Sequence, residues 1–280
     1  MTALQDLRVL DLSGQVAGPF CAKLLADFGA EVVKVEPPGG EAGRRLAPLG
    51  AFFLYLNTSK RGITLDITTT TGAAIFRRLV REVDVIVESF PPGFLDALSL
   101  GFEALESARP GIILTSVTPF GQTGPWRDLP ANELVAYACS GWASVNGWPD
   151  REPLKGSGYQ ASFQAGLAAF NATMAAVVHR DRHAQGQHVD ISILEPSVAT
   201  FAPALLTAQY RGEPQTRQRG DFQRGPVPAA DGYFSLTLSR AHFWRDAMNE
   251  LGLPELAHDE RWYEASYRQE HHGDVADLVQ

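Results

Sequence analysis

Cysteine is scarce in this chain: Cys21 and Cys139 are the only two among 280 residues, too few for a disulfide framework or a four-cysteine zinc site. A reducing cytoplasm is the expected compartment. Long apolar runs are missing as well. None approaches the roughly eighteen uninterrupted residues of a membrane span, and the N-terminal MTALQDLRVLDL lacks the basic-then-apolar order of a secretory signal, so no membrane partner is expected. Positive charge is in deficit, with 24 Lys and Arg against 32 Asp and Glu and a net charge of −8. Without a clustered basic run nucleic acid is not expected either, although local basic pairs leave room for a small anion. The chain has no G-x-S-x-G elbow and no internal repeat. What it does have is ordinary globular composition, 45% hydrophobic and 10% aromatic, which excludes disorder, collagen and coiled coil. The length suits one large or two modest domains.

Over the first 120 or so positions, short β-branched runs alternate with helical stretches about every 25 to 30 residues, the length of a βαβ unit. LRVLDL (7–12) reads as a first strand, SGQVAGP as its turn, and FCAKLLADFG as a helix stopped by Gly29. EVVKV (31–35), GITLDI (62–67), VDVIVE (83–88) and GIILTSV (111–117) read as four more strands. Thr68 to Thr71 opens a helix through Glu82, with Ala74, Ile75, Leu79 and Val80 assigned to its apolar face. A long helix is expected over 163–182, a sixth strand over 188–193, and a second, buried helix over 195–210. The expected fold class is α/β, a Rossmann-like parallel sheet in a large domain over 1–210. Residues 211–230 (RGEPQTRQRGDFQRGPVPAA) read as a linker or mobile loop, and 231–280 as a partial small α+β domain. So short a tail is not expected to bury its own apolar residues Phe234, Leu236, Phe243 and Trp244, which points to assembly with another chain.

In a doubly wound sheet the ligand sits at the carboxyl ends of the strands, so the loops there carry the chemistry. Those loops are Ser13 to Pro19, Pro37 to Arg45, Thr68 to Thr71, Ser89 to Gly93 and Thr118 to Pro125. The first lacks the three-glycine dinucleotide fingerprint, so Glu36, at the position of a ribose-binding acid, reads as a plain turn carboxylate. His179 and His183 share a helix face but Arg180, not Glu, follows the first, and the pair reads as a solvated last turn, as does His271-His272 in its polar tail. No metal site is expected. Arg77-Arg78 reads as a solvated helix face, whereas Arg44-Arg45 and Lys60-Arg61 flank strand ends where phosphates could bind.

LRVLDLSGQVAGPFCAKLLADFGAEVVKVEPPGG, LNTSKRGITLDITT, VDVIVESFPPGFLDALSLGFEAL, RPGIILTSVTPFGQTGPW and HRDRHAQGQHVDISILEP stand in this order along nearly the whole chain. Together they closely resemble the family III CoA-transferases, the formyl-CoA and carnitine CoA-transferase group. The anchors are Asn57-x-x-Lys60, Pro92-Gly93, Gly121-Gln122-Thr123-Gly124-Pro125 and Gly186-Gln187-His188-Val189-Asp190. The resemblance implies two chains threaded as interlocked rings, a homodimer or a heteromer with a paralogue. It implies coenzyme A or acyl-CoA as substrate, no tightly bound cofactor, and a carboxylic acid as second substrate. It also implies a CoA cleft lined by Val16, Ala17, Pro37, Leu65, Asp66, Ile67, Thr68, Ser89, Phe90, Pro91, Ala97, Ala131, Asn132, Glu133 and Leu134, with Lys60 at its edge. Pro37 and Ala97 fall where relatives can place arginines on the CoA phosphates, and Arg44, Lys60 or Arg61 would have to compensate.

Catalysis departs further. The resemblance implies an aspartate nucleophile that takes the acyl group and then CoA. Counting back from Gly186-Gln187 and matching Gly166, its position is Ser162, and no Asp or Glu lies between Glu152 and Asp181. A serine without an adjacent base is a weak nucleophile. The expected function is CoA transfer between an acyl-CoA and a carboxylic acid. The alternative is a non-catalytic subunit paired with an aspartate-bearing paralogue. An acyl-CoA racemase fits less well, because its histidine would fall near Asn132 and its aspartate near Ala161 or Ser162.

Overall fold

A computed structural model describes residues 2–46, 50–217, 226–235, 238, 240–271, 273 and 275. Six strands, β1 (Arg8–Asp11), β2 (Glu31–Glu36), β3 (Arg61–Thr64), β4 (Val85–Glu88), β5 (Ile113–Thr118) and β6 (Gln187–Ser192), form one sheet in the order β3-β2-β1-β4-β5-β6. Every pairing in it is parallel. Alternation along each strand sends Val9, Val85, Val87 and Ile113 to one face and Leu10, Ile86 and Leu114 to the other. Helices cover both faces, as a parallel sheet requires. On the first lie α1 (Ala17–Asp27) and α8 (Gln160–His183), and on the second α3 (Thr70–Val80) and α5 (Phe102–Ala108).

The connections between them carry shorter helices: a 3-10 turn over Ala42–Arg45, α2 (Ala51–Leu56), α4 (Phe94–Ala97), α6 (Glu133–Cys139) and α7 (Trp142–Val145). The α3 face is rotated from the expected one. Gly72, Ala73, Phe76 and Val80 are buried, while Ile75 is 41% exposed, because the two apolar stripes overlap and the bulkier Phe76 takes the core.

The 24-residue α8 is the one described helix long and apolar enough to cross a membrane by length and composition. Here it buries a stripe of small residues, Ala161, Ser162, Ala165, Gly166, Ala169, Thr173 and Ala176, which lets it close on α1 and β5. Thr115 and Thr173 share a 2.7 Å hydroxyl contact within that packing. The helix expected over 195–210 is two, α9 (Leu194–Thr200) and α10 (Ala202–Arg211). It is also far less buried than expected, with Leu205 43%, Leu206 49% and Tyr210 87% exposed. Phe201 and Ala204 are buried, and the exposed apolar side chains of α10 mark an uncovered surface.

By its contacts the chain divides into residues 1–146 with 153–215, and 147–152 with 216–280. The second unit contains the hairpin β7 (Pro226–Ala229) and β8 (Gly232–Ser235), antiparallel and paired from Pro226 with Ser235 to Ala229 with Gly232. Strand β7 thus occupies the end of the stretch expected as linker, since its prolines tolerate an edge strand. Helices α11 (Ala241–Glu250), α12 (Pro254–His258) and α13 (Ala265–Glu270) follow. Contrary to the sequence expectation, this unit has a core of its own. Trp244 is fully buried with Leu238, Met248, Ala257, Trp262 and Val275, the two indoles stacked at 5.2 Å. Phe243 stays 43% exposed, and Leu236 lies outside the described residues.

Candidate CoA and acyl-transfer site

The strand order reverses between β1 and β4, so the loops that leave their carboxyl ends part to opposite sides and open a crevice. The Gly14 N–H donates to Ser89 Oγ at 2.8 Å, tying the two loops at the fork. On the β2 side lies a cleft of about 360 Å³ lined by Leu12 to Gln15, Val35, Pro37, Gly40 to Ala42, Leu65 to Thr68, Ser89, Phe90 and Phe94. On the β5 side is a cavity of about 70 Å³. Its walls are Gly14 to Gly18, Ser89, Val117, Pro119, Ala131 to Glu133, Ala136, Ser162 and Ile193. The two share Gly14, Gln15 and Ser89.

Charges shape the mouth of the larger cleft. Glu36 ends β2 and receives Arg44 in a two-point pair, Nε on Oε1 at 2.7 Å and Nη2 on Oε2 at 2.6 Å. That hydrogen bonding outweighs burial and holds its carboxyl below the ordinary value. The Arg44 guanidinium lies 4.0 Å from the Phe53 ring centroid. Glu41 accepts from the Gln15 N–H at 3.1 Å and the Gly43 N–H at 2.7 Å, fixing the lip of the first loop.

Beneath the fork sits a buried ionic cluster. Asp11 and Lys34 are register partners on β1 and β2. Lys60 Nζ donates to Asp11 Oδ2 at 2.7 Å, to Asn57 Oδ1 at 2.9 Å and to the Pro19 carbonyl at 2.9 Å. The Lys34 ammonium bonds the Ser13 carbonyl. Burial alone would raise the Asp11 carboxyl, but Lys34 and Lys60 prevail and hold it at about 2. The same burial, with Asp11 nearby, pushes the Cys21 thiol up to about 12, so this cysteine is an inert core group.

In the smaller cavity a carboxylate meets the start of α8. Glu133, first residue of α6, accepts from the Ala161 N–H at 2.8 Å through Oε1. Through Oε2 it accepts from the Ser162 N–H at 3.0 Å and from Ser162 Oγ at 2.6 Å.

Residues 4–280 match the sequence model of CoA-transferase family III. The chain belongs to that family. It is 38% identical to the succinyl-CoA--D-citramalate CoA-transferase of Chloroflexus aurantiacus, over 99% of this chain and 71% of that protein. It is 33% identical to the beta subunit of the succinyl-CoA--L-malate CoA-transferase of the same organism, over 99% of this chain and 71% of that one. A crystal structure of a CAIB/BAIF family protein from Brucella suis superposes with a TM-score of 0.87 at 32% identity, covering 99% of this chain and 77% of that one.

Within this family III chain the residues singled out from the sequence fall into several places. Pro37, Leu65, Asp66, Ile67, Thr68, Ser89 and Phe90 line the larger cleft. Val16, Ala17, Ala131, Asn132 and Glu133 line the smaller cavity beside Ser162, and Ser89 borders both. Pro91 belongs to a neighbouring hollow, and Ala97 and Leu134 line none of these spaces. Lys60 is also elsewhere, its side chain 1% exposed in the Asp11 cluster, so the Asn57-x-x-Lys60 anchor is a buried brace for β1 and α1. Sequence reasoning missed Glu41, Gln15 and the contact of Glu133 with Ser162. It read that serine as lacking a basic neighbour because its partner lies 29 positions away.

The neighbouring hollow, about 250 Å³, holds Glu88, Ser116 and His188, with Ser116 Oγ 2.8 Å from His188 Nε2. Burial pushes the Glu88 carboxyl up to about 7, against the hydrogen bonds from Ser116 and the Phe90 N–H. The folded state therefore binds a proton more tightly than the unfolded chain, whose carboxyl titrates near 4.5. Stability falls as pH rises through that interval, by on the order of 3 kcal/mol, and is level above it. Glu88→Gln is expected to match the parent at pH 4 and exceed it by that amount at pH 8, as urea unfolding at the two pH values would register.

Proposed function

We propose that this chain transfers CoA between an acyl-CoA and a carboxylic acid, with the CoA moiety in the larger cleft and the acyl group in the smaller cavity. The observation that carries the reading is the fork of β1 and β4, where two adjoining spaces meet at Gly14, Gln15 and Ser89. The larger is lined with apolar groups and loop backbone suited to a pantetheine arm. The smaller is narrower and holds a carboxylate on a helix N-terminus. Succinyl-CoA is the first donor to try, since the names of the relatives carry it. A cytoplasmic, dimeric enzyme is part of the same reading.

The test is to incubate the chain with succinyl-CoA and a panel of dicarboxylic acids and follow new acyl-CoA by mass spectrometry, with calorimetry of CoA binding alongside. Thr68 is exposed at the mouth of the larger cleft, so Thr68→Trp is expected to fill it and abolish CoA binding at millimolar ligand. Stability should change by no more than about 0.5 kcal/mol. Unchanged CoA binding in this variant would place the ligand elsewhere.

A second reading is a subunit that works beside an aspartate-bearing paralogue, which Ser162 and the likeness to a beta subunit favour. Transfer that appears only when the paralogue is added would select it.

A further inference from the structure

We propose that Glu133 is the acyl-accepting carboxylate of this chain, acting from α6 in place of an aspartate at position 162; the proposal rests on the transferase reading above. The smaller cavity has fourteen lining residues, and Glu133 is the one among them with an acidic or basic side chain. Its Oε2 lies 2.6 Å from Ser162 Oγ, so a carboxylate from α6 has reached the spot to which the side chain at 162 points. The three donors around it come from the first turn of α8, where the helix dipole also favours negative charge.

Chemistry selects the carboxylate over the hydroxyl beside it. Transfer to a second acid needs an intermediate reactive enough to be attacked by a carboxylate. An anhydride or thioester of Glu133 has that reactivity. An ester of Ser162 does not, and would be lost to water. Oε1 carries one hydrogen bond and Oε2 two, so Oε1 is the freer to attack.

In the first step Oε1 attacks the thioester carbonyl carbon. A C–O bond forms, the C–S bond breaks, and CoA leaves as thiolate with a mixed anhydride left on Glu133. The thiolate then attacks the glutamyl carbonyl carbon. A C–S bond forms, the anhydride C–O bond breaks, and the donor leaves as its carboxylate. While this happens the Oε2 oxyanion is held by the Ser162 N–H and hydroxyl, an oxyanion hole already in place. The acceptor acid runs the same two steps in reverse, so no proton or electron is gained or lost overall. Ser162 is thus an oxyanion donor in this scheme and not a nucleophile.

The experiment uses the full chain with succinyl-CoA and, in parallel, acetyl-CoA, quenched with hydroxylamine. A glutamyl thioester becomes a glutamyl hydroxamate. Trypsin cleaves after Arg127, Arg151, Lys155 and Arg180, so Glu133 and Ser162 fall on separate peptides. The expected result is a hydroxamate on the 128–151 peptide and none on 156–180. Glu133→Gln keeps one acceptor oxygen for the α8 donors and removes the carboxylate. It should bind CoA within twofold of the parent by calorimetry, yet lose the label and at least about 10³-fold in transfer rate. Ser162→Ala should keep the label on Glu133 and slow transfer about 10- to 100-fold.

Transfer that survives in Glu133→Gln would overturn the proposal and leave the transferase reading standing. A label at Ser162 would overturn it in favour of serine chemistry. A parent chain that binds CoA but neither transfers nor labels with either donor would overturn both.

Discussion

Lys60→Ala is expected to cost about 3–5 kcal/mol of stability at pH 7, the loss seen when one partner of a buried ion pair is removed and the other remains. Asp11 is fully buried, and after the substitution it keeps Ser13 at 2.5 Å and Lys34 at 3.4 Å. The Pro19 carbonyl and Asn57 Oδ1 each lose the 2.9 Å bond from Lys60. The pH dependence gives a second readout. In the parent the Asp11 carboxyl is held at about 2, below its unfolded value of 3.8. That contributes stability which is fully present above the unfolded value and lost as pH falls through the folded one. Without Lys60 the folded carboxyl rises toward the unfolded value, so this contribution shrinks, the acid limb it causes flattens, and the loss relative to the parent is smaller at pH 3 than at pH 7. Urea unfolding at pH 7 and pH 3 measures both effects. Lys60→Met, which keeps the packing of the stem, should show the same flattening of the acid limb with a smaller loss at pH 7. If Lys60→Ala were as stable as the parent at both pH values, the brace would have no energetic role. Any change in CoA binding by this variant follows from the fold, because Lys60 does not line the cleft.

The fate of Lys60 shows what the sequence carried and what it did not. Strand-loop-helix alternation located the loops after β1 to β4, and with them Pro37, Thr68, Ser89 and Phe90 of the larger cleft, because that periodicity is local and the ligand position follows from topology. Leu65, Asp66 and Ile67, inside the expected third strand, came instead from the family resemblance. The Asp11 cluster was half legible. An acid in LRVLDL and a base in EVVKV stand inside apolar strands, and such charges are buried only in pairs. Which pairs meet depends on register, and Asp11 opposite Lys34 is seen only once β1 and β2 are aligned. The contact of Glu133 with Ser162 had no local signal at all. It is made by two helices whose connection runs through α7 and an irregular stretch, and nothing in ANELV or YQASF fixes where their ends meet. The face of α3 was lost for a different reason. Two stripes one residue apart are nearly equal in hydrophobicity, and side-chain volume decides between them. In the second unit Trp262 and Trp244 sit eighteen positions apart and stack across separate elements, so the tail looked coreless from its sequence.

Gly166→Val is expected to have the widest effect on both fold and function. A Cβ at this position would lie 2.6 Å from the Ala17 carbonyl oxygen and 3.0 and 3.1 Å from Phe20. The nearest obstacle is backbone, so α1 and α8 must move apart. Overpacking of this kind costs about 1–3 kcal/mol, and β-branching adds to it in a helix. Gly166→Ala is the sharper comparison. Alanine in an open helix gains about 1 kcal/mol over glycine, so a net loss here would isolate the steric contact. The functional consequence follows from what the two helices carry. Val16 and Ala17 at the start of α1 and Ser162 one turn before Gly166 all line the smaller cavity. Parting them moves the Ala161 and Ser162 N–H groups relative to Glu133, whose carboxylate they hold at 2.8 and 3.0 Å. A displacement of about 1 Å at such a site costs about 10²-fold in rate. Thermal unfolding and the transfer assay should therefore fall together in Gly166→Val. In Gly62→Ala neither should change, since nothing lies within 4 Å of a Cβ built there. A Gly166→Val protein with parental stability and parental transfer would mean that the close approach of α1 and α8 does not set the geometry of the cavity.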